Sequence, residues 1–109
     1  MTYKVVVSNR AKEHLHNIKD YITNELKAPQ SARNVLNDLE EAMKSLCALP
    51  ERIPFSRVKE LRLRGVHCMV VREYLIYFEI DETKKQVTVA AVIYGKRDQT
   101  AQIDNIIED

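Results

Sequence analysis

Cationic side chains are concentrated in one part of this 109-residue chain. Residues 52–72 hold six basic side chains against the single acid Glu60, although the net charge of the whole chain is only +1. The six are Arg52, Arg57, Lys59, Arg62, Arg64 and Arg72, and a further basic pair, Lys96-Arg97, follows near the end. A guanidinium group pairs with a carboxylate or a phosphate through two hydrogen bonds. The pattern therefore indicates a surface that docks onto a polyanion or an acidic partner.

The same arginines have a second interpretation. Leu61 and Leu63 alternate with Arg62 and Arg64, and such alternation commonly marks the solvent side of a half-covered sheet. The basic pair at 96–97 could likewise be an ordinary strand end. The residue pattern alone does not decide between a docking surface and an ordinary solvent-exposed face.

Histidines and cysteines are the other side chains that could do chemistry. His67 could act as an acid or a base because imidazole titrates near neutral pH. It could equally lie on the open face of the sheet or bond a backbone carbonyl. His14 and His16 are two positions apart on a predicted helix, so they point in different directions and we expect both at the surface. Cys47 and Cys68 fit no metal or redox spacing and are expected as buried, reduced thiols, so no metal site and no cofactor are predicted.

Hydrophobic periodicity predicts the elements that must position these residues. Residues 3–7 form a first strand, and Ser8 or Asn9 can cap the helix that follows. Two amphipathic helices joined at Ala28-Pro29 are expected to pack as an antiparallel pair. Their apolar positions are Ala11, Leu15, Ile18, Ile22 and Leu26 in the first helix and Ala32, Val35, Leu36, Leu39, Met43 and Leu46 in the second.

After the helices the apolar period changes to two. Residues 61–64 alternate like a strand, and Gly65 interrupts them at a bulge or bend. Residues 66–71 are apolar on both sides, which is typical of a central strand. Two more strands, 74–80 and 86–94, follow with short polar turns before each.

The predicted fold is α+β, in the order β-α-α-β-β-β, with a possible short C-terminal helix over 101–107. The first strand joins a three-stranded antiparallel meander, and the helical hairpin covers one face of the sheet. The length predicts a single domain over residues 1–109. No apolar run approaches the ~18 residues that cross a bilayer, and the N-terminus lacks a signal-peptide pattern. We therefore expect no membrane association and a cytoplasmic location.

Four segments in the right order resemble one known family. The strand YKV at 3–5 is followed by the helical pattern A-x-x-x-L-x-x-I-x-x-Y-I at 11–22. The segment YLIYFEIDE at 74–82 and the ending VIYGKRD at 92–98 complete the set. Together they resemble the RelE/ParE superfamily, the toxins of bacterial type II toxin–antitoxin modules.

The resemblance implies a RelE/ParE-like fold and a growth-inhibiting toxin of a plasmid-stabilisation system, held by a cognate antitoxin in a hetero-oligomer. RelE-like members cut messenger RNA in the ribosome, whereas ParE-like members inhibit DNA gyrase. The residues expected to contact the target or the antitoxin are Arg62, Arg64, Arg72, Lys96, Arg97, Ile103 and Ile106.

The target depends on whether the chain carries a nuclease site. Metal-free RNA cleavage needs a base, an acid and cations that stabilise the charge on phosphorus. Arg97 matches the arginine of the family's basic ending, and His67 falls where the family has a sheet arginine. The position of the family's C-terminal tyrosine falls near Ile103, which has no hydroxyl.

This incomplete set favours the ParE-like branch: a binding inhibitor of gyrase and not an enzyme. Two alternatives stay open. One is a ribosome-dependent messenger-RNA endonuclease that uses Arg97 and His67. The other is a non-catalytic partner that acts mainly in the antitoxin complex and in co-repression of its operon.

Overall fold

The computed structural model describes residues 2–95. Its elements are β1 (Lys4–Val7), α1 (Asn9–Asp20), α2 (Pro29–Lys44), α3 (Lys59–Leu63), β2 (His67–Val71), β3 (Tyr74–Asp81) and β4 (Gln86–Tyr94). A π-helical turn at Tyr21–Glu25 extends α1, and 3₁₀ turns occupy Ser45–Cys47 and Pro50–Arg52. The α+β prediction of a strand, a helical hairpin and an antiparallel meander is confirmed. The possible C-terminal helix over 101–107 lies outside the described residues.

The strands form one sheet in the order β1-β4-β3-β2. β2, β3 and β4 are antiparallel neighbours, with Cys68 opposite Tyr77. β1 joins β4 in parallel, with Val5 opposite Val87. A parallel neighbour needs a long crossover connection, and here the helices and the meander supply it. The first strand therefore joins the meander as predicted.

The helical hairpin packs on one face of this sheet. The Ser8 side chain accepts a hydrogen bond from the Ala11 N–H at 3.1 Å and so caps α1, as the sequence predicts. Pro29 begins α2 at a position where its missing N–H costs nothing. Inward side chains of the hairpin and the sheet then form the main core, which is built around Leu39, Leu46, Ile76, Phe78, Val87 and Val89.

The leucine–arginine alternation that predicted a strand lies instead in α3, so that prediction is wrong. α3 ends in a Schellman motif: the Val66 N–H bonds the Leu61 carbonyl, and the Gly65 N–H bonds the Arg62 carbonyl, both at 3.0 Å. Gly65 has a φ of +81°, which this motif requires and glycine adopts without strain. On a one-turn helix Leu61 points inward and is fully buried, whereas Leu63 is 75% exposed. Alternation over four residues therefore does not distinguish a strand from a helical turn.

β2 is an edge strand, so the prediction of a central strand over 66–71 is also wrong. β2 has a neighbouring strand on one side only. Its apolar side chains are explained by other elements that pack against parts of both of its faces. Met69 and Val71 pack toward the helical hairpin. Cys68 packs toward α3 on the other face, while Val70 is left largely exposed.

The second face carries a smaller apolar cluster, formed by Leu61, Val66, Tyr77, Ala91 and Ile93. Burial raises the pKa of the neighbouring Cys68 thiol, and burial together with that thiol raises the pKa of Tyr77 to about 12. Cys47 and Cys68 are both free, as expected, but half-buried where full burial was predicted. None of the helices within residues 2–95 has the length and apolar composition needed to cross a membrane.

Candidate functional site

Four of the basic residues after α2, namely Arg57, Lys59, Arg62 and Arg64, lie on a closed surface loop, residues 56–66, which we call the basic loop. Its two ends are joined because the Ser56 N–H donates to the Val66 carbonyl at 2.8 Å. The Ser56 hydroxyl accepts from the Val58 N–H at 3.1 Å, which fixes the start of α3. Leu61 anchors the loop in the second apolar cluster. A compact loop with joined ends and its own buried side chain has a defined conformation before any partner binds.

The cations of the basic loop point into solvent. Arg57, Lys59, Arg62 and Arg64 are all exposed. The Arg62 guanidinium donates to the Arg57 carbonyl at 3.2 Å, and Arg64 lies 3.9 Å from Glu79. Among the described residues no carboxylate lies within ion-pair distance of Arg57, Lys59 or Arg62. The structure thus brings Arg62 and Arg64 together on one loop, with little internal neutralisation.

His67 is enclosed at the start of β2. Its side chain is only 6% exposed, and its ring is stacked between Phe55 and Phe78 at centroid distances of 4.3 and 5.1 Å. Nδ1 lies 2.7 Å from the Ile53 carbonyl oxygen. Since a carbonyl only accepts, Nδ1 must carry the proton. Of the two structural interpretations, His67 has the carbonyl-bonded one and does not lie on an open face.

A groove opens on the face of the sheet that the helical hairpin covers, between the hairpin and the ends of β3 and β4. It encloses about 730 Å³ and is lined largely by apolar side chains, among them Ile18, Tyr21, Ile22, Leu26, Val35 and Val92. Tyr21 and Leu26 are 50% and 57% exposed in its wall. This volume is in the range of binding clefts, and we call it the apolar groove.

His14 and Arg72 are among the polar side chains that line the apolar groove. His14 is half-buried where a surface position was predicted, and its Nδ1 accepts a hydrogen bond from the Val92 N–H at 3.2 Å. His16, by contrast, is exposed and pairs with Asp20 at 3.1 Å. Arg72 lies in the turn between β2 and β3 and bonds Asp38 of α2 at 2.6 Å.

Arg72 is therefore separated from the other predicted arginines. It lines the apolar groove on the face covered by the hairpin. Arg62 lies in α3 and Arg64 directly follows it, and α3 packs on the opposite face through Leu61. The predicted residues Lys96, Arg97, Ile103 and Ile106 lie outside the described residues. Residues 2–95 contain no group of three or more side chains arranged to hold a metal ion.

Sequence reasoning did not identify the apolar groove. The available signal was in α1 and the turn after it. The stripe of Ile18, Ile22 and Leu26 continues past the point where the hairpin can bury it, and Tyr21 adds a large side chain beside it. Apolar side chains that extend along a helix beyond the region buried by the rest of the fold often mark a binding surface.

The fold defines the class of the protein, because three solved structures share it. The chromosomal ParDE system from P. aeruginosa has a TM-score of 0.71 at 18% identity, over 85% of this chain and 96% of that chain. The RelBE2 toxin–antitoxin complex from Mycobacterium tuberculosis has a TM-score of 0.61 at 22% identity, over 86% and 99%. A mutant of E. coli RelE in the free state has a TM-score of 0.65 at 14% identity, over 99% and 97%. The chain therefore has the RelE/ParE fold.

Sequence assigns the family within that class. The model of the ParE toxin of the type II toxin-antitoxin system, parDE, matches residues 5–99. The chain belongs to this family and is a type II toxin, which confirms the resemblance found in the sequence. A comparison with curated proteins found no match.

Proposed function

We propose that this toxin arrests growth in the cytoplasm by binding DNA gyrase and inhibiting it, and that a cognate antitoxin neutralises it. The observation that supports this most is the enclosure of His67. A general base must reach the proton that it removes. Both faces of the His67 ring are covered, and Nδ1 is occupied by the Ile53 carbonyl. Inhibition by binding needs no such group, and membership of the ParE family favours the same target.

The apolar groove supports the antitoxin part of the proposal. Tyr21 and Leu26 expose about half of their surface there, and Ile18 lines the same groove. Covering such a groove with an apolar segment removes these side chains from water. The similar structure from M. tuberculosis is itself described as a toxin–antitoxin complex. We propose that the antitoxin occupies the apolar groove and forms a hetero-oligomer with the toxin.

A supercoiling assay tests the target. Purified toxin is added to gyrase and relaxed plasmid, and in parallel to ribosomes translating a defined message. We expect supercoiling to fall with toxin concentration while the message stays intact. Undiminished supercoiling at a large excess of toxin contradicts the proposal. Cleavage of the message that is lost in Arg97→Ala would favour the endonuclease alternative.

A double variant tests the role of the apolar groove. Tyr21→Ser combined with Leu26→Ser removes its two exposed apolar side chains, and His16→Ala on the outer surface of α1 is the matched control. We expect the double variant to bind antitoxin at least about tenfold more weakly and to inhibit supercoiling as the parent does. Unchanged antitoxin affinity would place the antitoxin elsewhere.

A further inference from the structure

The basic loop combines cations with an apolar centre. Leu63, the last residue of α3, is 75% exposed, although it lies between the arginines at 62 and 64. Phe55, just before the loop, is 53% exposed while its ring stacks on His67. An exposed apolar side chain at a helix end does not destabilise the fold. Its burial contributes a favourable hydrophobic free energy only when a partner covers it.

We propose that the basic loop is a protein-docking surface, and that its partner is an acidic segment carrying an aliphatic side chain that covers Leu63. This proposal concerns a different surface from the apolar groove and does not depend on gyrase being the target. Charge complementarity requires a negatively charged partner, because residues 57–64 hold Arg57, Lys59, Arg62 and Arg64 against Glu60 alone. Apart from the 3.9 Å approach of Glu79 to Arg64, the described residues do not neutralise them.

The apolar centre favours a protein partner over a nucleic acid. Phosphates gain from the cations, but a phosphate backbone gains nothing by covering Leu63. Arginines around a buried apolar residue are instead the common composition of protein interfaces. Since a carboxylate and an aliphatic group can lie in one peptide segment, such a segment satisfies both features at once.

The basic loop is held in one conformation by its own contacts. The bond from Ser56 to Val66 at 2.8 Å, the Schellman motif at Gly65 and the buried Leu61 fix the backbone under the arginines. A surface that is already ordered loses little conformational entropy on binding. The hydrogen bonds that order this exposed loop therefore favour binding of a partner, in addition to any contribution to folding stability.

Fluorescence polarisation with three defined probes tests the proposal. The probes are a labelled peptide of alternating glutamate and leucine, the same peptide with glutamine in place of leucine, and a single-stranded oligothymidylate of equal net charge. We expect the glutamate–leucine peptide to bind at least about tenfold more tightly than either other probe. An oligothymidylate that binds as tightly as the peptide would overturn the proposal in favour of a nucleic-acid surface. Failure of the peptide to bind would also overturn it.

Surface variants locate the binding. Leu63→Gln should weaken the glutamate–leucine peptide at least about tenfold and leave the oligothymidylate unchanged, whereas Arg57→Gln with Arg62→Gln should weaken both probes. Leu49→Gln is the matched control, because Leu49 is 62% exposed and outside the basic loop. Peptide binding that survives both loop variants, or that falls equally in Leu49→Gln, would overturn the proposal. A thermal melt of each variant verifies the fold, and the supercoiling assay is scored separately.

Discussion

The two faces of the sheet are covered by elements of very different size. α1 and α2 cover one face and bury Leu39 and Phe78 completely. The basic loop covers part of the other face and buries Leu61 there. Both covers are anchored by fully buried leucines, but the second is a single loop with one helical turn.

The difference in size suggests different roles, with the hairpin face supplying most of the stability and the loop face available for contact with a partner. The hairpin buries most of the apolar surface and leaves a groove where its cover ends, lined by Tyr21 and Leu26. The basic loop buries little and exposes many charged groups, so its outer surface is free to meet a partner. We expect global unfolding to depend on the hairpin face and local opening to depend on the loop face.

Leu39→Ala should have the largest effect of the predicted substitutions. Leu39 lies in the main core with no exposure, so truncation leaves a cavity that packed neighbours cannot fill. We expect the free energy of unfolding to fall by about 4 kcal/mol, measured by urea denaturation. Leu63→Ala is the control and should change it by less than about 0.5 kcal/mol. Equal losses in the two variants would remove the distinction between core and surface leucines.

Leu61→Ala should destabilise the loop face by about 2–3 kcal/mol, less than Leu39→Ala, because a cluster near the surface can collapse further. Its signature should be local. Hydrogen exchange of the Val66 and Arg62 amides should speed up more than that of Val89 in the main core. Uniform acceleration across the sheet would mean that the two faces unfold as one unit.

Gly65→Ala should cost about 1–2 kcal/mol, because alanine resists the φ of +81° that ends α3. A Cβ at this position would meet no atom within 4 Å, so the cost comes from the backbone alone. Gly65→Asn should recover part of the loss, since asparagine tolerates this conformation better. A loss in Gly65→Asn as large as in Gly65→Ala would contradict this explanation.

Tyr3→Phe should have the smallest effect, and one that depends on pH. The Tyr3 hydroxyl donates to the Glu82 carboxylate at 2.8 Å, and this bond, helped by Lys85, holds the pKa of Glu82 below its ordinary value. A lowered folded-state pKa adds stability above the unfolded value of about 4.3, and this stability is lost as the pH falls through the folded value.

The stability difference between parent and Tyr3→Phe should therefore be present at about pH 6 and shrink below about pH 4. Urea denaturation at several pH values measures it, and Lys84→Gln serves as a control for a general change in charge near the same turn. A difference that stays constant with pH would show that Tyr3 acts only through packing.

Much of the fold followed from the sequence because its signals are local. The helical spacing from Ala11 to Ile22, the cap at Ser8 and the break at Pro29 each depend on neighbours within one or two turns. The family motifs carried the same information in order. The strand predicted at 61–64 failed because four alternating residues carry too short a pattern to separate a strand from a helical turn.

The candidate site was less predictable. The sequence indicated the excess of cations, but it placed Arg62 and Arg64 on a strand and grouped Arg72 with them as contact residues, whereas Arg72 pairs with Asp38 on the other face. The apolar groove and the enclosure of His67 by Phe55 and Phe78 join residues distant in the chain. No local pattern contains such contacts.

The sequence by itself determined the element types, their order and the local excess of positive charge, since period, caps and charge are properties of neighbouring residues. Only the tertiary structure decided which cations share a surface, which histidine is enclosed and where an apolar groove stays open. Those outcomes depend on which face of the sheet each element covers, and that choice is made by packing between segments far apart in the chain.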